Sequence, residues 1–175
     1  MKTLVAYYSQ TGNTEKVARA IYEEASRDHE AYLEKIEDIT ADTLNEYDLV
    51  FLGSACHSSD LATPVKEVLD AISDSPKFKL AGFFTHATSS GGFNKWASKC
   101  VLSFQEASRV KKITFIGYYN CQGVPAPLIQ EFIKSEVFGD SLADWEGYFE
   151  EVRKHPSLED LQKAREFARR TISHA

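Results

Sequence analysis

A hydrophobic run that passes through a hydroxyl- and amide-rich loop into an amphipathic helix is the feature that most constrains how this chain folds. The run covers residues 4–8, and the amphipathic segment covers 15–25, where Val17 and Ile21 share one face. The loop between them consists of Ser9, Gln10, Thr11, Gly12, Asn13 and Thr14. This order predicts a strand, a tight loop and a helix. At the positive end of the helix dipole, unpaired N–H groups bind an anion such as phosphate without a basic side chain.

An ordinary helix cap is the alternative interpretation of this loop, because serine, threonine and asparagine also cap helices. A cluster of hydroxyl and amide side chains with one glycine is more than a cap requires, which favours the anion site. Gly12 also lets the backbone approach an anion closely. Neither Gly-x-x-x-x-Gly-Lys-Ser/Thr nor Gly-x-Gly-x-x-Gly occurs in the chain. The loop is therefore a different phosphate-binding loop from these two.

The remaining hydrophobic runs predict the topology. Four more strands are predicted, at 31–36, 49–54, 80–85 and 113–118. Strands that alternate with helices predict an α/β fold, a doubly wound five-stranded parallel sheet in the order 2-1-3-4-5 with helices on both faces. The loops that follow the strands should meet at one edge of that sheet. These loops are 9–14, 54–62, 85–94 and 119–125.

The C-terminal part is predicted to be helical throughout. Amphipathic stripes follow Pro127, and the last one, over 158–172, should cover a face of the sheet. The segment at about 139–156 has no place in the minimal five-strand pattern, so we expect a helical C-terminal addition near the last loop. At 175 residues, the chain is expected to form a single domain, 1–175.

Composition and charge exclude several classes of function. The net charge of −6 argues against nucleic acid as a partner, and no apolar run reaches membrane-spanning length. Residues 1–60 hold 12 acidic and 5 basic side chains, against 14 and 15 in the rest, so one acidic face could steer a basic partner or simply be solvated. Three cysteines without a Cys-x-x-Cys pair and scattered histidines predict reduced thiols and no metal site. Without a signal-peptide pattern, the expected compartment is the cytoplasm.

The first loop carries a family resemblance. Its pattern, aromatic-Ser-x-Thr-Gly-Asn-Thr followed by Ala18 and Ile21 in the helix, resembles the phosphate loop of the flavodoxin family. The resemblance implies an FMN cofactor whose phosphate lies in loop 9–14 and whose ring lies between the loops after strands 3 and 4. The implied FMN contacts are Ser9, Gln10, Thr11, Gly12, Asn13, Thr14, Ala55, Cys56, His57, Thr88, Ser89, Gly91, Gly92 and Phe93.

A planar ring also needs apolar or aromatic walls. The candidates are His57, Phe93 and Trp96. Trp96 shares a helical stripe with Cys100 and Phe104, which favours a core position for it.

The resemblance implies an FMN-binding electron-transfer protein that shuttles electrons between redox partner proteins, a reductase and an acceptor, by transient docking. An FMN-dependent NAD(P)H:quinone-type oxidoreductase of the same fold is the alternative, and a flavin-free partner module is a third. The chain departs from the family in two places: 54–62 lacks the glycine that many flavodoxins have there, and 85–94 lacks the usual tyrosine. A helical addition could narrow the cofactor site or form a partner surface.

Overall fold

The computed structural model describes residues 1–88 and 93–175, with side chains from residue 95 onward in the second segment. The strands are β1 (Lys2–Tyr7), β2 (Glu30–Lys35), β3 (Leu49–His57), β4 (Asp60–Leu61), β5 (Lys79–His86) and β6 (Thr114–Gln122). The helices are α1 (Asn13–Ala25), α2 (Thr63–Ala71), α3 (Phe93–Trp96), α4 (Ser98–Lys111), α5 (Pro127–Ile133), α6 (Leu142–Val152) and α7 (Leu158–Ser173). Short 3-10 turns lie at Ile36–Asp38 and Asp42–Glu46, and a π-helical turn at Lys134–Phe138 continues α5.

The sheet confirms the predicted topology. Its parallel strands run in the order β2-β1-β3-β5-β6, and the two-residue β4 pairs antiparallel with the end of β3. Two strands are longer than predicted: β3 ends at His57 rather than at 54, and β6 ends at Gln122 rather than at 118. Both extensions are paired, since Ala55 lies opposite Thr85 in β5 and Gln122 lies opposite His86.

Successive side chains along each strand point to opposite faces of the sheet, so the core consists of two layers. In β1, Leu4 and Ala6 pack on the side of α2 and α4, whereas Val5 and Tyr7 pack on the side of α1 and α7. The central strands are apolar on both faces, as expected of a parallel sheet covered by helices on both sides. The last helix, α7, covers the second face as predicted, with Phe167 against Phe51.

Two helical predictions need correction. The helix before the last strand is broken at Ala97, so Trp96 belongs to the short α3 rather than to the buried stripe of α4. The helical addition begins at residue 127 rather than at 139, because α5 and the π-helical turn contain no buried side chain. We call residues 127–152 the helical addition. No helix in the described residues is both long enough and apolar enough to cross a bilayer.

A substitution at Gly53 tests how closely side chains pack between the strands. Gly53 lies opposite Tyr7 in β1 and Phe83 in β5, and a Cβ at this position would overlap the fully buried Phe83 ring. We expect Gly53→Ala to lower the free energy of unfolding by about 1–3 kcal/mol, the usual cost of overpacking a core. The measurement is urea unfolding followed by circular dichroism.

Gly147→Ala is the matched control for this substitution. Gly147 lies in α6, and a Cβ there would contact nothing within 4 Å. The same change should leave stability unaltered or raise it by about 0.5–1 kcal/mol through helix propensity. Equal effects at the two glycines would contradict the packing that we describe.

Candidate functional site

The loop between β1 and α1 presents unpaired backbone N–H groups at the carboxyl edge of the sheet. Helix α1 begins at Asn13, and Gly12 before it has φ 82°, a left-handed conformation that favours glycine. The backbone N–H groups of residues 9–14 donate no hydrogen bond to any described residue. Ser9, Gln10, Thr11 and Gly12 are all accessible to solvent. This is the donor set that an anion requires at a helix N-terminus.

The last two residues of this loop use their side chains to fix it in place. Buried Asn13 donates from Nδ2 to the Val124 carbonyl at 2.6 Å and to Thr11 Oγ1 at 2.8 Å. The hydroxyl of buried Thr14 bonds to that of Thr85 in β5 at 2.8 Å. The Thr14 hydroxyl is therefore engaged within the protein.

Four loops enclose a cleft beside these N–H groups, which we call the loop cavity. It contains about 470 Å³ of empty space and is lined from within residues 10–13, 55–57, 85–87 and 123–129. These segments lie at or directly after the carboxyl ends of β1, β3, β5 and β6. The predicted convergence of four loops at one edge of the sheet is thus confirmed.

The end of β3 forms one wall of the loop cavity and turns back tightly. Ser58 and Ser59 connect β3 to β4 with φ 48° and 68°, so two serines take a left-handed conformation that is uncommon for residues other than glycine. Asp60 fixes this hairpin by accepting hydrogen bonds from Ser103 Oγ at 2.5 Å and Lys66 Nζ at 3.0 Å. Burial opposes ionisation of Asp60, but these bonds lower its pKa overall.

Two titratable side chains on this wall have altered pKa values. A hydrogen bond from the buried Cys100 thiol lowers the pKa of Cys56 and raises that of Cys100. Burial lowers the pKa of His57, whose ring meets the Tyr8 ring edge-on at 5.7 Å between centroids. The His57 wall is therefore an uncharged aromatic surface at neutral pH.

His86 organises the opposite wall. Thr88 donates to its Nδ1 from the backbone N–H at 3.3 Å and bonds to it through Oγ1 at 2.6 Å, so Nδ1 is the unprotonated nitrogen. Nε2 then donates to Asn120 Oδ1 at 3.1 Å. Gln122 donates to the Thr88 carbonyl at 2.7 Å. Burial lowers the pKa of His86, in keeping with this neutral tautomer.

A second, larger cleft adjoins the first, and we call it the apolar cavity. It contains about 980 Å³ of empty space and shares Cys56, His86, Ala87 and Ile129 with the loop cavity. Its outer wall is the helical addition, through Phe132, Ile133, Val137, Phe138 and Tyr148. The Tyr148 hydroxyl donates to the Ala87 carbonyl at 2.5 Å, which fastens the addition to the loop after β5. Burial raises the pKa of Tyr148 to about 12.

Seven of the fourteen sequence-predicted residues line these two cavities. Gln10, Thr11, Asn13, Ala55, Cys56 and His57 line the loop cavity, and Thr88 lines the apolar cavity. Ser89, Gly91, Gly92 and the side chain of Phe93 lie outside the described residues. The core position favoured for Trp96 is wrong: its side chain is 42% exposed and lines the apolar cavity.

Sequence reasoning missed three groups of lining residues. These are His86 and Ala87 at the end of β5, residues 123–126 after β6, and the inner side of the helical addition. Their positions at strand ends gave a signal for the first two groups. The apolar stripe of α5 gave no such signal, because apolar residues have the same spacing in a helix that lines a cavity as in a helix that packs in a core.

This arrangement defines a doubly wound α/β protein with a loop of unpaired N–H groups and an adjoining apolar cleft at the carboxyl edge of its sheet. A family model described as a flavodoxin domain matches residues 4–169. The chain belongs to the flavodoxin family.

Relatives cover the whole length of the chain. Flavodoxin-like domain-containing protein BilS of Clostridioides difficile is 29% identical over 180 residues, covering 100% of this chain and 98% of that protein. An uncharacterized protein of Methanocaldococcus jannaschii is 26% identical, covering 99% of this chain and 100% of that protein. Oxidised flavodoxin 2 from Bacillus cereus has the same fold, with a TM-score of 0.70, 22% identity and 100% coverage of both chains.

His86 should make stability depend on pH. Because burial lowers its pKa in the folded state, the unfolded chain, with a pKa of about 6.5, takes up a proton first as the pH falls. The stabilisation contributed by the neutral, buried His86 ring is therefore complete above the pKa of the unfolded chain. It is lost as the pH falls through the lower pKa of the folded state. In the unaltered protein, the free energy of unfolding should fall between about pH 6.5 and pH 5. We expect it to fall less steeply in the His86→Gln variant.

Urea unfolding at several pH values measures this effect. His29→Gln is the control, because it removes an imidazole near the start of β2, away from both cavities. It should leave the pH dependence as in the unaltered protein. A decline that is equally steep with and without His86 would contradict the prediction.

Proposed function

We propose that this protein binds FMN and carries electrons between redox partner proteins. The observation that carries the proposal is the cluster of unpaired N–H groups at residues 9–14, which opens into the loop cavity and is continuous with an apolar cleft. An anion at one end and a planar apolar group at the other match the two halves of a flavin mononucleotide. Membership of the flavodoxin family, whose members typically bind this cofactor, supports the same assignment.

The residues present fit the phosphate. The N–H groups of residues 9–14 and the hydroxyl of Ser9 form a donor set with no acidic side chain among them. The Thr11 hydroxyl instead donates to the Val124 carbonyl at 3.4 Å. Gly12 has no Cβ to obstruct the approach of the phosphate. Asn13 fixes the loop to the Val124 carbonyl, so the donors are held in position before the anion arrives. Such preorganised backbone donors are a common device for binding phosphate.

The residues around the two cavities also fit the ring. His57 and Trp96 offer aromatic surfaces, and Cys56 and Ile129 lie where the cavities join. Bound flavin would supply the oxidation–reduction chemistry, while the protein holds the ring and excludes water from it. The His86–Thr88 bonds fix the start of the loop after β5, which by family resemblance lies over the ring.

Redox partners and compartment follow from this role. A flavin carrier needs a reductase that delivers electrons and an acceptor that receives them, and we propose transient docking with both. The free thiols of Cys56, Cys100 and Cys121 support a reducing compartment, for which we propose the cytoplasm.

An FMN-dependent NAD(P)H:quinone-type oxidoreductase remains the second candidate. The apolar cavity favours it, because a cleft with an aromatic outer wall next to the proposed flavin position offers a place for a second planar substrate. We rank it second because no described residue stands out as a recognition group for a nicotinamide nucleotide.

FMN binding provides the first test. We expect the flavin-free protein to quench FMN fluorescence on binding, and to bind FMN much more tightly than riboflavin, which lacks the phosphate. Gly12→Asp would place a carboxylate against the phosphate, and should weaken FMN binding by about tenfold or more with little effect on riboflavin.

Gly139→Asp is the control, because Gly139 also has a positive φ, of 55°, but lies in the helical addition. It should leave both affinities unchanged. Absence of measurable FMN binding by the unaltered protein would overturn the proposed function.

Direct NAD(P)H oxidation separates the two candidates. For a carrier, we expect no oxidation of NADPH or NADH with a benzoquinone acceptor above the rate with free FMN, and reduction of the bound flavin only when a flavoprotein reductase is added. Rapid turnover without a reductase would favour the oxidoreductase. Stopped-flow absorbance of the bound flavin measures both reactions.

A further inference from the structure

The helical addition exposes an unusual amount of apolar surface. Among residues 127–152, all of which the structure describes, Val152 is the only buried side chain. Leu128 is 80% exposed, Phe132 59% and Leu142 55%. A helix normally buries its apolar stripe against the body of a monomer. Several large apolar side chains left uncovered on one segment point to an interaction site.

The same segment holds the net charge of the protein. Residues 127–152 contain seven acidic side chains and one basic side chain, a net charge of −6. The other 149 residues contain 19 acidic and 19 basic side chains, which cancel. The acidic residues are Glu131, Glu136, Asp140, Asp144, Glu146, Glu150 and Glu151, and all of them are exposed. Glu150 and Glu151 form ion pairs with Arg153 and Lys154, just beyond this segment. Apolar side chains are thus interspersed with five further carboxylates and a single lysine.

This surface adjoins the cofactor site. Phe132 and Val137 are exposed to solvent and at the same time line the apolar cavity, and Ile129 lines both cavities. The bond from Tyr148 to the Ala87 carbonyl holds the addition against the loop after β5. A protein bound to the exposed face of the addition would therefore lie next to the cavity proposed for the flavin ring.

We propose that the helical addition is the docking surface for a redox protein whose exposed cofactor edge is surrounded by Lys and Arg side chains. The inference rests on the proposed function and names the chemistry of the partner. Charge complementarity identifies the partner. The negative side chains of the addition attract the positive side chains around the partner's cofactor, and Leu128 and Phe132 contact the apolar surface at its centre. A second copy of this chain is disfavoured, since two predominantly acidic faces would repel each other.

Electron transfer to equine cytochrome c, which presents its haem edge within a ring of lysines, tests the surface. The FMN-loaded protein is reduced with dithionite, freed of excess reductant and mixed with ferric cytochrome c in a stopped-flow instrument. Each ferric haem gains one electron from the reduced flavin and becomes ferrous. We expect Glu131→Lys with Glu136→Lys to slow the second-order reaction about tenfold at low ionic strength and to weaken its salt dependence.

Two control variants match these changes elsewhere on the surface. Asp28→Lys with Asp74→Lys alters the net charge equally at exposed positions before β2 and before β5, at the opposite edge of the sheet, and should slow the reaction less than twofold. Leu128→Ser should slow it severalfold, whereas Leu158→Ser, at a residue 87% exposed on α7, should not. Equal effects of the two charge pairs, or none from either, would overturn the proposal.

Amide NMR separates this inference from the proposed function. Titration of the ¹⁵N-labelled, flavin-free protein with ferrous cytochrome c should broaden or shift signals of residues 127–152 first. Perturbations centred elsewhere, or absent at low salt, would refute the docking surface even in a protein that binds FMN. Perturbations at the addition in a protein that fails to bind FMN would instead refute the carrier function and retain the surface.

Discussion

The hydrogen bond from Asn13 to the Val124 carbonyl is the interaction on which the site depends. It joins the loop after β1 to the loop after β6, although β3 and β5 separate these strands. Three strand spacings amount to about 14 Å, so the last loop must fold back across the edge of the sheet to reach Asn13. Gly123 permits this approach, because a Cβ there would lie 2.9 Å from the Asn13 side chain. The loop cavity and the orientation of the free N–H groups both follow from this closure.

The site combines two parts of different origin. The central α/β body provides the anion-binding end, since the N-terminus of α1 and the ends of three strands meet there. The helical addition provides the outer wall of the apolar cavity, and a hydrogen bond from Tyr148 to Ala87 connects it to the body. A planar cofactor across both cavities would contact both parts. The affinity for such a cofactor should therefore depend on how the helical addition packs against the α/β body.

The two parts also differ in how their charged side chains are paired. Near the cavities, the buried carboxylate of Asp60 accepts hydrogen bonds from Lys66 and Ser103, so its charge is compensated within the protein. On the helical addition, Glu150 and Glu151 pair with Arg153 and Lys154. The other five exposed carboxylates there are accompanied by one lysine, and their field extends into solvent. Compensated charge stabilises the hairpin after β3, whereas uncompensated charge remains available to attract a positively charged partner.

The sequence by itself determined the sheet order, because buried parallel strands are continuous apolar runs. It also predicted an anion site at the loop after β1, because a helix N-terminus offers unpaired N–H groups. Only the tertiary structure decided where individual side chains point. Thr14 is 71 residues from its partner Thr85, and the break at Ala97 turns Trp96 out of the core. The apolar stripe of α5 likewise lies in the sequence, but whether a stripe is covered depends on distant segments, and its spacing carries no information about them.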